Sequence, residues 1–210
     1  MNSIVCKLAV IAGALGIWFW TQRLIGAQPL RDEGGIGDWV HRRTARWHRY
    51  FSEHEKSANR ALAASSFFID VLGLSLIALS VFGPSFKPFI AVMIVFIMRQ
   101  FCQMGSTLPP PPGIIWRDPG MPTLLVTYGV SNDFFFSGHT ALAVLGAIGI
   151  CGVAPWWLGA IAVLIALGEA VIVLILRAHY TLDVIAGALA AWFAADIAGR
   201  LAPWVDAWLK

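Results

Sequence analysis

Trp156-Trp157-Leu158-Gly159-Ala160-Ile161-Ala162-Val163-Leu164-Ile165-Ala166-Leu167-Gly168-Glu169-Ala170-Val171-Ile172-Val173-Leu174-Ile175-Leu176 is an apolar run with one ionisable side chain, Glu169. Crossing the hydrocarbon of a bilayer takes about 20 such residues in a helix, so the stretch reads as a transmembrane helix. Upstream, Gly152-Val153-Ala154-Pro155 is a tight turn, and another apolar segment, Thr140 to Val153, precedes it. Polar islands stand at the outer ends of this pair. One is Asn132-Asp133-Phe134-Phe135-Phe136-Ser137-Gly138-His139-Thr140, the other Arg177-Ala178-His179-Tyr180-Thr181-Leu182-Asp183-Val184. Between Asp133 and Glu169 there is no charged residue, and His139 is the only titratable side chain besides Cys151. Histidines and a carboxylate at the ends of such segments are costly in lipid and ask for a functional reason.

Composition agrees with the membrane reading. Hydrophobic residues make up 58% of the 210, charged residues 13%, and mean hydropathy is +0.72. A water-soluble domain of this size needs a more charged surface. Ten Trp suit interfacial belts. Cys6, Cys102 and Cys151 lie in or beside apolar runs without paired spacing, as small buried hydrophobes rather than a disulfide framework or metal set. The net charge of +3 comes with no basic patch interleaved with aromatics, so nucleic acid is not an expected partner.

The expected fold is all-α: a polytopic membrane protein, a six-transmembrane-helix bundle in a single domain spanning 1–210. Its spans are approximately 4–26, 61–82, 88–106, 138–153, 156–176 and 180–199. The first could instead be a signal peptide, but Trp18 and Trp20 read as an interfacial anchor and favour a retained helix. Arg23 to Arg60 holds eight of the fifteen Lys/Arg and five of the twelve acids. Val40, Thr44, Trp47 and Phe51 share one helical face, and Arg42, Arg43, Arg46 and Arg49 another. Segment 31–60 is therefore read as an amphipathic interfacial helix after the first span, with a solvated loop as the alternative. Pro109-Pro110-Pro111-Pro112 forms a stiff extended stretch. With six spans both islands fall on one membrane face.

His179 and Asp183 are four residues apart and share a helical face. The carboxylate is expected to accept the Nδ1 hydrogen and fix the tautomer, leaving Nε2 as nucleophile or base. His139 begins a helix whose free N–H groups, with Ser137 and Gly138, favour an anion such as phosphate. The set suits phosphoryl transfer through a phosphohistidine: His179 attacks phosphorus, Asp183 stabilises its charge, and His139 serves as acid and then base. No metal or other cofactor is required. Asp70, Arg99 and Glu169 lie at similar depth in their segments, so mutual pairing is expected. Taken as a pathway, those three would suit a transporter, although no inverted repeat supports one.

Ser137-Gly138-His139-Thr140 with His179-Tyr180-Thr181-Leu182-Asp183-Val184 resembles the sphingomyelin synthase family, a branch of the type 2 phosphatidic acid phosphatase superfamily. Arg99, Met104, Thr107-Leu108-Pro109 and Pro112-Gly113 resemble that branch's Arg…Thr-x-Leu-Pro…Pro-Gly motif, and Pro29-Leu30-Arg31-Asp32 is similar to a Pro-Leu-Pro-Asp after its first span. The phosphatase branch's Lys-x6-Arg-Pro is missing: Gln100 follows Arg99, and Val173 stands where an Arg is expected.

The resemblance implies a lipid phosphotransferase. It would move phosphocholine or phosphoethanolamine from a membrane phospholipid donor to ceramide, diacylglycerol or another lipid alcohol. With water as acceptor, the same fold would act as a phospholipase C or lipid-phosphate phosphatase. His139, His179 and Asp183 are the candidate catalytic residues. Candidate substrate-binding residues are Asp133, Ser137, Gly138, Arg99, Tyr180, Arg177 and Glu169. Asp133 with Phe134, Phe135 and Phe136 suits a cationic head group, the phenylalanines reading equally well as lipid anchors. In the family the site faces the extracytoplasmic side. Here the active face collects eleven of the fifteen Lys/Arg, contrary to the positive-inside rule. The extracytoplasmic assignment is kept because acids offset the basic loop. No oligomeric state follows from the sequence.

Overall fold

The computed structural model describes residues 3–27, 37–106, 108–128 and 134–209. Asp133, Thr107 and the Pro29-Leu30-Arg31-Asp32 motif lie outside them. The described residues form eight helices: α1 (Ser3–Gly26), α2 (Trp39–Arg43), α3 (Ala45–Glu53), α4 (Glu55–Phe82), α5 (Lys87–Gly105), α6 (Gly138–Val153), α7 (Trp156–Ile175) and α8 (Thr181–Leu209). Five of them, α1, α4, α5, α7 and α8, are long and apolar enough to cross a membrane. α6, at 16 residues, is shorter, about 24 Å at 1.5 Å per residue. These helices fit an integral membrane protein.

α6 is the hub, packed against α4, α5, α7 and α8. Its sequence is almost all small or aliphatic residues, so neighbouring backbones come close. A Cβ on Gly146 would meet Leu72 Cβ at 2.8 Å, and one on Gly187 would meet the Ser137 carbonyl at 2.5 Å. The core between them is Ile69, Leu72 and Leu76 of α4, Val95 of α5, and the alanines Ala190, Ala191, Ala194 and Ala198 of α8. Outward faces of α7 and α8 expose Leu164, Leu167, Leu189 and Trp192, as lipid contact requires.

Helix limits follow local chemistry. Ser137 caps α6 by accepting the Thr140 N–H, and Pro88 sits in the first turn of α5. α4 begins at Glu55, ahead of its apolar window, and α8 runs to Leu209 through Pro203. A proline removes one helical donor, which does not end the helix here.

Segment 37–53 folds as two short helices, α2 and α3, lying against α4, α7 and α8. The face turned to the protein differs from the apolar stripe read in sequence: His41 and His48 are buried, while Trp47 is 62% exposed. Backbone carbonyls of the α7–α8 turn need donors, and imidazole supplies them where Trp47 would not reach. Trp18 likewise faces inward. It stacks on Phe96 with centroids 5.0 Å apart, leaving Trp20 as the exposed member of the pair.

Candidate active site

Both islands meet at one end of the bundle. The Ser137 N–H donates to the Asp183 carbonyl at 3.0 Å, so the α6 start is bonded to the first turn of α8. His139, His179, Arg99 and Gly138 line one cavity of about 50 Å³, several-fold above the roughly 10–15 Å³ that one water needs. Trp18, Phe96, Trp116 and Phe134 supply its aromatic walls.

The imidazole of His179 is buried, and its Nδ1–H donates to the Phe134 carbonyl at 2.9 Å. This differs from the expectation that Asp183 would hold that hydrogen. Asp183 Oδ2 is 3.7 Å from Nδ1 because it already accepts the Tyr180 N–H at 2.9 Å. That bond is the carboxylate half of a capping box, reaching back from the third helical residue. The tautomer is therefore set by a peptide carbonyl, with Asp183 beside it at ion-pair distance. Among the described residues Nε2 of His179 has no hydrogen-bond partner.

His139 packs T-shaped against Trp116, with centroids 5.0 Å apart, and its Nε2 is buried without a partner among the described residues. Arg99 Nε donates to the Phe136 carbonyl at 2.9 Å. Gly138 makes room for that side chain, since a Cβ there would lie 3.2 Å from Arg99 Nε. Ser137 Oγ takes the Thr140 N–H, while the N–H groups of Gly138 and His139 find no acceptor among the described residues. A guanidinium and a helix N-terminus thus converge on one cavity, an arrangement that favours an anion.

Other candidate residues sit elsewhere. Tyr180 is buried, its ring against His41 and its hydroxyl 3.5 Å from the Pro110 carbonyl. Arg177, at φ 54, turns its Nη1 onto the Pro112 carbonyl at 2.7 Å and does not line the cavity. Glu169 is buried beside Ser65, whose hydroxyl donates to Oε2 at 2.6 Å, and also lies outside the cavity wall. Asp70 accepts the N–H groups of Leu124 and Leu125. Among the described residues Asp70, Arg99 and Glu169 each meet a different partner, contrary to the expected mutual pairing. Each finds a nearer hydrogen-bonding group on a loop or neighbouring helix.

Four contributors were not singled out from sequence. Trp116 flanks His139. Asp38 accepts the Thr181 N–H (2.6 Å) and hydroxyl (2.8 Å) as well as the N–H groups of Val40 and His41. His41 Nε2–H donates to the His179 carbonyl at 2.9 Å, and His48 Nδ1–H donates to the Ile175 carbonyl at 2.9 Å. Burial alone would raise the Asp38 pKa, but the hydrogen bonds from Thr181 and His41 outweigh it, and the carboxyl stays below its ordinary range. Burial, reinforced by the Arg177 charge, lowers the His48 pKa against the opposing bond to Ile175.

The fold and site together describe a helical membrane-type protein with paired histidines over a small polar cavity at one end. Among known families, the model described as AtPDCT1/2 matches residues 38–200, and the chain belongs to that family. It is a family of phosphatidylcholine:diacylglycerol cholinephosphotransferases, plant relatives of the sphingomyelin synthases, so the class is lipid phosphotransferase rather than sphingomyelin synthase specifically. A search of curated proteins gave no match.

Proposed function

We propose that the chain moves phosphocholine between phosphatidylcholine and a lipid alcohol through a phosphohistidine on His179. Diacylglycerol is the preferred acceptor on the family match, and ceramide the alternative. The observation that carries this reading is the state of His179: Nδ1 is locked by the Phe134 carbonyl, and the ring lines a cavity shared with His139 and Arg99.

Nε2 attacks phosphorus as the bond to the diacylglycerol oxygen breaks, and His139 delivers a proton to that leaving alkoxide. A second lipid alcohol then gives its proton to His139 and attacks the phosphohistidine, and His179 leaves as neutral imidazole. Arg99 and the N–H groups of Gly138 and His139 hold the phosphoryl oxygens. Asp183 stabilises the cationic ring of the intermediate.

The decisive assay gives purified protein choline-labelled phosphatidylcholine with diacylglycerol of distinct acyl chains, or ceramide, and follows every product. Labelled lipid with the new chains supports transfer; water-soluble phosphocholine points to a hydrolase. His179→Ala should lose on the order of 10⁴-fold or more in kcat, and full turnover by that variant would rule out the phosphohistidine.

α6 completes a six-span bundle in this reading, α2 and α3 lie at the interface, and the site opens extracytoplasmically. A cysteine at exposed Glu53, in a chain whose own cysteines are replaced, should react with impermeant reagent on intact cells. Labelling only after permeabilisation would reverse the orientation.

A further inference from the structure

The turn between α7 and α8 carries the proposed nucleophile, and the end of α7 takes its amides: the Ala178 and His179 N–H groups both donate to the Val173 carbonyl, at 2.8 and 3.4 Å. Arg177 stands there at φ 54, the left-handed residue of a helix C-cap in which the Arg177 and Ala178 N–H groups return to the Leu174 and Val173 carbonyls. Beyond that cap, the His179 carbonyl and the Thr181 N–H are held from far away in sequence. His41 donates to the carbonyl of His179 itself, and Asp38 receives both the N–H and the hydroxyl of Thr181, two residues on. Asp38 also caps α2 through Val40 and His41 N–H, which fixes His41 relative to the carboxylate. The His41 ring lies along Tyr180, with centroids 5.8 Å apart. The main chain on both sides of Tyr180 is thus gripped by one short helix start.

We infer that Asp38 and His41 are positioning residues for the reaction: they hold the His179 main chain so that its imidazole meets the donor phosphorus in line. The inference rests on His179 being the nucleophile. Neither residue lines the cavity that holds the imidazole, so their effect on the reaction runs through the His179 main chain. Their loss then lowers kcat and leaves KM unchanged.

Two variants separate hydrogen bond from packing. His41→Gln keeps an N–H donor at the position of Nε2 and gives up the ring. His41→Phe keeps the ring against Tyr180 and gives up the donor. In the phosphatidylcholine and diacylglycerol assay, normalised to folded protein, His41→Phe should lose about 100-fold in kcat, the scale of a misplaced reacting group, at unchanged KM. His41→Gln should stay close to the parent chain. A readout independent of turnover accompanies this: the Thr181 amide should exchange hydrogen faster in His41→Phe than in His41→Gln. Any other ranking, both variants falling together included, overturns the positioning role. Retained turnover in His179→Ala, with the exchange ranking as expected, would instead defeat the nucleophile assignment while leaving the grip on the turn intact.

Discussion

The two histidine islands are built in opposite ways. His179 sits on a turn where nearly every polar group is engaged: its Nδ1 by Phe134, its carbonyl by His41, the next N–H by Asp183 and the one after by Asp38. His139 sits in the first turn of α6, its ring T-shaped against Trp116 and its Nε2 without a partner among the described residues. The difference matches the two chemical roles proposed for them. A nucleophile must present one lone pair along one line, which demands a fixed tautomer and a fixed backbone. A group that gives a proton and takes it back gains from a nitrogen not already committed to the protein.

Removing the free partner should cost less than removing His179 itself and more than anything around it. His139→Gln is expected to lower kcat by about 10²–10⁴-fold, the usual range for a general acid–base. With a lipid donor bearing a better leaving group, the first step should recover and the second should not. Equal loss with both donors would mean that His139 does not protonate the leaving oxygen.

A smaller effect is expected at Asp183. In the Ser-His-Asp arrangement, replacing the aspartate by asparagine costs on the order of 10⁴-fold because the carboxylate sets the tautomer. Here the Phe134 carbonyl sets it, and Asp183 supplies charge from 3.7 Å. Asp183→Asn keeps an oxygen for the Tyr180 N–H, so about 10²-fold in kcat should go, with the fold retained by circular dichroism. A loss near 10⁴-fold would assign the tautomer to Asp183 and erase the distinction from that arrangement. The His41 pair of variants then tests the backbone side of the same contrast.

How much of this was legible varies with the kind of signal. The long apolar runs are self-announcing, because hydrocarbon accepts only segments that satisfy their own amides. The two islands stood out for the same reason, as polar groups where lipid tolerates few. The strap of Asp38, His41 and His48 did not, because it lies in a basic segment where polar residues are ordinary. A signal was present in the spacing of His41, Thr44 and His48, which places two histidines on one helical face. The apolar stripe with Trp47 masked it. Trp116 sat beyond the proline run, in a loop without periodicity.

The sequence by itself determined that the chain is a bundle of apolar helices and that His139, His179 and Asp183 stand at the ends of those helices. Hydropathy and spacing are local properties, and they suffice for that much. Only the tertiary structure decided who holds whom. The Phe134 carbonyl took the hydrogen expected of Asp183, and an N-terminal strap took hold of the His179 turn. Asp70, Arg99 and Glu169 went to separate partners. Each outcome depends on which donor lies within about 3 Å of which acceptor, a question of three-dimensional approach that spacing along the chain does not answer.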